Sequence, residues 1–548
     1  MTARTVIQHV LSRLHEIGIT DVFGVPGDYA FPVNDAICDD PLIRWVGCSY
    51  ELNAAYAADG YARIKGVTAL CTTYGVGELS AINGIAGSYA EHLPVFHLVG
   101  TPNMATQSGR KLMHHTLGDG AYDLFRRMTE PVVVAHAVMT PDNVAYETER
   151  LIFEALYHRR PVYIAFPADL ANMPVLGEAA PIPMPASNPA ALQTAADAIV
   201  AALTSAKSAC LLAGILVARA GLKTNLEALL DASGLPFATM FMGKSVLDEQ
   251  HPSYIGMYDG ALLEQEVRAL VEGADCVLDV GAPMTDFNSG AFTARLDPGK
   301  TIMVGHHATH VGGKTHANVE MGDLLSELAR RLPRRDWARR KPSSLGPVTG
   351  AGDTAIDAAT LYPRWADFIA AGDILIAETG TASMGLGFAL MPKGATFHNQ
   401  TLWGSIGWAT PAAFGAAVAA PDRRTVLVTG DGSHQLTVQE ISQFPRLGLK
   451  PIVFVLNNDG YLIERLLCKD PAIAYNDIAP WHYADLPRAF GCDDWMTARV
   501  TTCAELDAAM AKAAKAETGV YIEVVTDAYA ASPLALKLHD AMRTLYKA

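Results

Sequence analysis

The stretch Gly430-Asp431-Gly432-Ser433, answered downstream by Asn457-Asn458-Asp459-Gly460-Tyr461, decides how the chain is read. Val426-Leu427-Val428 just before it is short, apolar and β-branched, the mark of a buried strand. Leu436, Val438, Ile441 and Phe444 predict one helix after it, and Pro451-Ile452-Val453-Phe454-Val455-Leu456 a second strand. Two strands joined by a helix make a right-handed βαβ unit with parallel strands. Asp431 and Asn458 then leave the same sheet edge, where open α/β sheets bind ligands. A carboxylate, an amide and a freed backbone carbonyl at one edge form a site of hard oxygens, suited to Mg²⁺ carrying a phosphorylated ligand.

Composition sets wider bounds. At 548 residues, half of them hydrophobic, the chain has room for about three domains with buried cores. A net charge of −15 argues against nucleic acid or an anionic membrane as the main partner. Eight scattered cysteines without a CxxC predict reduced, packed thiols rather than a disulfide frame or zinc site. The start of the chain, with Arg4 and an amphipathic helix, lacks an apolar leader, and no run reaches bilayer length. A cytoplasmic protein is expected.

Taken in order, Val6, Ile7, Val10, Leu11, Leu14 and Ile17 mark one face of a helix closed by Gly18. Strands are expected at 21–25, 45–48, 68–73, 94–99 and 161–166, alternating with small-residue helices, the pattern of a doubly wound parallel sheet. Gly75-Val76-Gly77 is not a dinucleotide fingerprint, because Ser80 stands where its third glycine belongs. Trp403 likewise spoils a GxSxG elbow at Trp403-Gly404-Ser405-Ile406-Gly407. The Pro-rich run 177–191 and the basic, then Pro/Gly/Ser-rich run 334–349 predict linkers. They separate domains at 1–178, 190–335 and 350–548. The middle one has strands at 208–212 and 276–280 and no catalytic cluster. Its His306, His307 and His310 lack partner carboxylates or thiols in the sequence and predict a solvated loop rather than a metal site.

The Gly-Asp-Gly and Asn-Asn halves resemble the thiamin diphosphate motif. Essentially the whole chain resembles the thiamin diphosphate-dependent 2-oxo acid decarboxylases of the pyruvate, indolepyruvate and branched-chain types. The resemblance is carried by Val25-Pro26-Gly27-Asp28-Tyr29, Glu51-Leu52-Asn53, Gly77 through Asn83, His114-His115-Thr116-Leu117 and Asn457 through Glu464. It implies three α/β domains with doubly wound parallel sheets: a pyrimidine-binding domain, a middle domain and a diphosphate-binding domain. It also implies a homodimer at minimum, usually paired into a homotetramer, whose sites lie between the first domain of one subunit and the third domain of another.

The implied reaction is the non-oxidative decarboxylation of 2-oxo acids to aldehydes and CO₂, with the cofactor ring as electron sink. Glu51 matches the carboxylate that serves the aminopyrimidine. Asp28, His114, His115 and Glu464 match the family's other polar catalytic groups, types suited to proton transfer near neutral pH. Adjacent histidines on a strand would point to opposite faces. Asp431, the Asn458 side chain and the Gly460 carbonyl match the Mg²⁺ ligands. Ser433 is expected at the diphosphate, at a helix N-terminus. Gly404 and Ile406 match the backbone contact and the wedge that bend the cofactor. Further cofactor contacts are implied at Pro26, Thr73, Thr379, Gly380, Ser405, Gly430, Gly432, Tyr461, Leu462 and Ile463.

Pyruvate-specific relatives carry two adjacent aromatics after Glu-Thr-Gly, where this chain has Ser383-Met384. Losing two rings opens volume, and Met adapts to varied apolar shapes. Phe287, Ile463, Leu536 and His539 complete the expected wall, which favours substrates larger than pyruvate: aromatic, branched or long-chain. The alternatives are an acetohydroxyacid synthase-like carboligase, against which His114-His115 and Glu464 speak, and a non-catalytic relative, against which Glu51 and Asp431 speak.

Overall fold

Short aliphatic, β-branched runs ended by glycine, proline or polar residues form the strands, and the central strands are almost wholly buried. The computed structural model describes residues 4–545, with side chains as far as Asp540. The first sheet holds β1 (Asp21–Gly24), β2 (Arg44–Gly47), β3 (Thr68–Thr73), β4 (Val95–Thr101), β5 (Ala135–Val138) and β6 (Val162–Pro167). Its order is β2-β1-β3-β4-β6-β5 and every neighbouring pair is parallel. The middle sheet holds β7 (Ala209–Ala213), β8 (Phe237–Thr239), β9 (Tyr254–Met257), β10 (Cys276–Val280), β11 (Thr301–Val304), β12 (Ala308–Val311) and β13 (Lys314–Ala317). It is parallel except at one end, where β11, β12 and β13 run antiparallel.

The third sheet holds β14 (Ile374–Ala377), β15 (Thr396–His398), β16 (Thr425–Gly430), β17 (Ile452–Asn457), β18 (Met496–Val500) and β19 (Val520–Val525). Its order, β15-β14-β16-β17-β19-β18, is again fully parallel and repeats the order of the first sheet strand for strand. Three mostly parallel α/β sheets are thus the architecture.

By packing, the chain divides into two compact units. One runs to Met184 and takes in Thr410–Asp422 and Thr437–Leu449; the other holds Pro185–Ala409, Arg423–Leu436 and the chain from Lys450 on. Inside the first unit, small residues let helices touch backbone to backbone. A Cβ on Gly60 would lie 2.1 Å from Ala412 O, and one on Gly415 would lie 1.8 Å from Ala57 O.

Three expectations change. The single helix after Gly430 is broken: Asp431–Thr437 is helical, Thr437 leaves the helix at φ −140°, and a 3₁₀ turn (Val438–Ser442) and a short helix (Gln443–Arg446) follow. Leu436 is therefore half-exposed while Val438, Ile441 and Phe444 are buried. The run 334–349 is less free than a linker. Arg335 donates to Leu203 O at 2.7 Å and Ala206 O at 2.9 Å, and Trp337 is buried in the core of the middle sheet. The three histidines are also placed differently. His310 lies on strand β12 beside Thr315, His306 contacts Leu216 O at 3.1 Å, and His307 has a carboxylate partner, Glu320, at 2.6 Å. The partner was invisible because it sits thirteen residues on, across a hairpin. They gather no metal-ligand cluster among the described residues.

Candidate active site

In the first unit, the site grows from the C-terminal ends of β1 to β4. The Pro26-Gly27 turn after β1 packs on Thr73, the last residue of β3, so closely that a Cβ on Gly27 would lie 2.4 Å from Thr73 Cβ. Glu51 opens the helix Glu51–Lys65 after β2. A Cβ on Gly77 would lie 3.3 Å from Glu51 Oε1 and 3.1 Å from Thr73 Cγ2, so Glu51, Thr73 and Gly77 meet. Burial raises the Glu51 carboxyl above the usual carboxylate range. Its helix turn is anchored by Glu440, fully buried, which accepts from Ser49 N at 3.2 Å and Asn53 Nδ2 at 2.9 Å.

His114 and His115 do not lie on a strand. They occupy the irregular segment after β4, and His115 adopts a left-handed backbone (φ 61°). That twist overrides the alternation expected of a strand and turns both rings to one carboxylate. His114 Nε2 lies 2.7 Å from Asp28 Oδ2, and His115 Nε2 lies 3.9 Å from Asp28 Oδ1. The Tyr29 ring stacks on His114 at 4.9 Å, and its hydroxyl donates to His114 O at 3.2 Å. Gly75 is left-handed too (φ 66°), and a Cβ there would lie 2.2 Å from His115 O. Of the two glycines that failed as a dinucleotide fingerprint, Gly75 makes room for the histidine loop and Gly77 for Glu51 and Thr73. Glu78 one turn further is fully buried, accepts from Gly75 N at 2.8 Å and Tyr163 Oη at 2.9 Å, and is pushed by burial up to about 7.

In the second unit, Asp431 at the end of β16 is buried and accepts from Gly432 N at 2.7 Å, Asn458 N at 3.0 Å and Gly460 N at 3.2 Å. Burial raises it to about 6. The side-chain amide of Asn458 reaches Asp431 Oδ1 at 3.2 Å and Gly460 O at 3.0 Å, where its nitrogen can donate to both. A carboxylate, an amide and a backbone carbonyl thus meet at one point, the kind of oxygen donors a hard divalent cation takes. With a cation bound, half a turn of the amide would present its oxygen to the metal. The donor set therefore suits a cation such as Mg²⁺. Arg465, also buried, holds the turn by donating to Asn458 O at 3.0 Å and to Asp459 O.

Beside these oxygens lies a cavity of about 340 Å³. Its walls bring together Gly430, Asp431, Gly432 and Ser433 from one strand end with Asn458, Gly460 and the run Tyr461 to Glu464 from the next. Thr379, Gly380 and Ile406 close it, with Tyr475, which the sequence did not mark. Backbone amides and small residues at such an edge suit a diphosphate. Gly404 and Ser405 stand just outside. A Cβ on Gly404 would lie 3.8 Å from Thr379 Cγ2, and Ser405 N donates to Gln400 Oε1 at 2.9 Å. Buried Glu378 ties the two loops, accepting from Thr379 N at 3.0 Å, Gly407 N at 3.2 Å and Ala409 N at 3.2 Å. Gln400, Glu378, Glu440 and Arg465 were missed as site supports because their partners are backbone groups or distant residues, which no local pattern reveals.

Of the expected substrate wall, Met384 is fully buried in a cluster with Phe241, Leu534 and Leu538, and Phe287 and Ile463 pack against it. Ser383 is buried and donates to Gly380 O at 3.1 Å. On the C-terminal helix Pro533–Leu545, Leu534, Ala535 and Leu538 face the cluster; Leu536 is half-exposed outside it, and His539 is partly buried.

Family models agree with this geometry. Residues 4–123 match the N-terminal TPP binding domain of thiamine pyrophosphate enzymes, 196–332 the central domain and 378–524 the C-terminal TPP binding domain. The alpha-keto-acid decarboxylase of Mycobacterium leprae is 43% identical over 95% of this chain and 92% of its own length. The chain belongs to the thiamin diphosphate-dependent 2-oxo acid decarboxylases. The alpha-keto-acid decarboxylase of Mycobacterium ulcerans is 42% identical over 97% of this chain and 94% of its own. Among solved structures, the Rhodococcus jostii thiamine diphosphate-dependent 4-hydroxybenzoylformate decarboxylase matches 96% of this decarboxylase chain and 99% of that one with TM-score 0.78. At 20% identity, that likeness speaks for the shared fold. Among the described residues no helix is long and apolar enough to cross a membrane.

Proposed function

We propose that this thiamin diphosphate-dependent decarboxylase works with Mg²⁺ and prefers 2-oxo acids larger than pyruvate, releasing the aldehyde and CO₂. The meeting of the Asp431 carboxylate, the Asn458 amide and the Gly460 carbonyl supports the metal assignment. Asp431, Asn458 and the Gly460 carbonyl hold the cation, and Gly430, Gly432 and Ser433 receive the diphosphate. Thr379, Gly380, Gly404, Ser405, Ile406, Tyr461, Leu462 and Ile463 line the cofactor, with Pro26 and Thr73 toward its pyrimidine. When bound, the cofactor supplies a nucleophilic carbon and an electron sink. Glu51, whose carboxyl is kept above the usual carboxylate range by burial, holds and returns a proton at the aminopyrimidine. Asp28 and His114, joined by a hydrogen bond of 2.7 Å, and His115, 3.9 Å from the same carboxylate, would supply the proton that replaces CO₂ and accept one as the aldehyde leaves, with Glu464 as the fifth polar group.

The apolar cluster around Met384 supports the preference for large substrates, because it offers aliphatic and aromatic side chains next to Ile463, which lines the cofactor cavity. A kcat/KM series from pyruvate through 2-oxo-octanoate to indolepyruvate tests it. The highest value on an aromatic or long-chain acid is expected, and the highest value on pyruvate would refute the preference.

The three domains are assigned to 1–178, 190–335 and 350–548, one sheet in each. The working unit is a homodimer at minimum, paired into a homotetramer in the cytoplasm. Exposed Tyr50, Val76, Leu112 and Leu117 around Glu51 and the histidine loop support a covering partner. Light scattering of the purified protein reads the assembly directly.

A further inference from the structure

The connection between β10 and β11, residues 281–300, contains no helix, unlike an ordinary crossover between parallel strands. Part of one face of that strand pair is roofed by this irregular loop, which leaves a cavity of about 370 Å³. Its floor is Asp279, Thr301 and Met303; Asp279 pairs with Met303 across the strands, so their side chains share a face. Its roof includes Met284, Phe292 and Leu296.

Asp279 is 5% exposed. One of its oxygens accepts from Ala282 N at 2.9 Å, and among the described residues the other has no hydrogen-bond partner. No basic residue lines the cavity to neutralise it. The two lining hydroxyls have already committed their protons: Ser289 Oγ donates to Thr285 O at 2.6 Å and Thr301 Oγ1 to Asp297 O at 2.8 Å. All three polar side chains therefore have acceptor capacity and no proton free to donate while Asp279 is ionised. A ligand for such a pocket must bring donors and positive charge, carried on an apolar body that suits Met284, Phe292, Leu296 and Met303. While Asp279 is ionised, a phosphate-bearing ligand would meet no lining side chain with a proton to give it.

The loop has a second face. Its Phe287 packs against the Met384 cluster, while Ser289 and Phe292 line the cavity. Asn288 pins it between them, accepting from Met242 N at 2.8 Å and donating to Pro283 O at 2.7 Å. Ala291 and Phe292 are both left-handed (φ 56° and 58°), an uncommon backbone for residues with a side chain. A ligand filling the cavity would press on a segment already held away from its relaxed shape.

We propose that this cavity is an effector site for a small primary amine with an aryl or branched-alkyl body, whose ammonium pairs with Asp279 and whose binding is felt at Phe287. The site itself stands independently; the effect on catalysis rests on Phe287 belonging to the substrate wall. Calorimetric titration of the full-length holoenzyme with 2-phenylethylamine tests the site, with 2-phenylethanol as the uncharged comparison. Saturable binding of one amine per chain is expected, at least tenfold weaker for the alcohol. Asp279→Asn, which turns an amide donor toward the ligand, should weaken amine binding at least tenfold. Ala294→Leu, which fills the cavity without touching the carboxylate, should do the same and decides the matter should Asp279→Asn fold poorly. Equal affinity for amine and alcohol, or binding indifferent to both variants, overturns the site. At saturating amine, KM for the best 2-oxo acid should shift at least threefold in the unaltered enzyme and not in Ala294→Leu. Binding with unchanged KM overturns the effector role alone, and because the titration needs no turnover, a failure of the decarboxylase reading shows separately.

Discussion

The first and third sheets share one strand order but expose opposite chemistry at corresponding edges. After its third strand, the first sheet presents Gly75 and Gly77; after its third strand, the last sheet presents Asp431 and Gly432. After the fourth strand, one carries the loop with His114 and His115, the other Asn458 and Gly460. Topology decides where the chain leaves the sheet, and the residues placed at the exit decide what that edge does. One edge gathers proton carriers around Asp28; the other gathers oxygens around Asp431. On the proposed reading, binding and chemistry are divided between two copies of one scaffold.

Asp431→Ala is the strongest test of that division. Cofactor-dependent activity should fall to background and calorimetric binding of thiamin diphosphate with Mg²⁺ should drop by more than ~10²-fold, the scale of losing even an outer partner of a metal site. Retained binding would show that the third-sheet edge is not the anchor. Glu51→Gln should separate the two functions the other way. Binding stays close to that of the unaltered enzyme while kcat falls about 10²–10⁴-fold, the usual worth of a positioned acid or base. Lost cofactor binding in that variant would erase the division.

Gly60→Ala probes the scaffold rather than either edge. A methyl 2.1 Å from Ala412 O forces the helices apart, and denaturant unfolding should register about 1–3 kcal/mol of destabilisation.

The effect spread most thinly over conditions is the pH slope set by Glu78. Its folded value of about 7 lies above the usual 4.5, so between those values the native state holds a proton that the unfolded chain has released. Stability is fully retained below about pH 4.5 and declines as pH rises toward 7, by up to about 1.4 kcal/mol per pH unit from this group. Glu78→Gln should flatten the melting-temperature profile between pH 5 and 7; an unchanged slope would place the buried proton elsewhere.

Much of both edges was legible from local patterns. The strands around Asp431 and Asn458 announce themselves by aliphatic runs ending in glycine and asparagine, and the parallel pairing of β16 and β17 follows from one crossover between them. What escaped were features fixed by distant or backbone partners. The helix expected through Leu436 and Phe444 breaks at Thr437, because its second half packs in a different unit from its first. The two histidines converge through a left-handed residue that no periodicity signals. Arg465 and Glu378 hold their loops through backbone groups, which every sequence supplies alike.

The sequence by itself determined which residue types stand at the strand ends, since strand length, turn residues and hydrophobic period are local properties of the chain. Only the tertiary structure decided that Asp28 lies beside both histidines, that the Asp431 carboxylate, the Asn458 amide and the Gly460 carbonyl meet, and that one oxygen of Asp279 is left without a partner in a cavity. Those facts depend on residues far apart in the chain being brought within about 3–4 Å, where hydrogen bonding, repulsion and burial act.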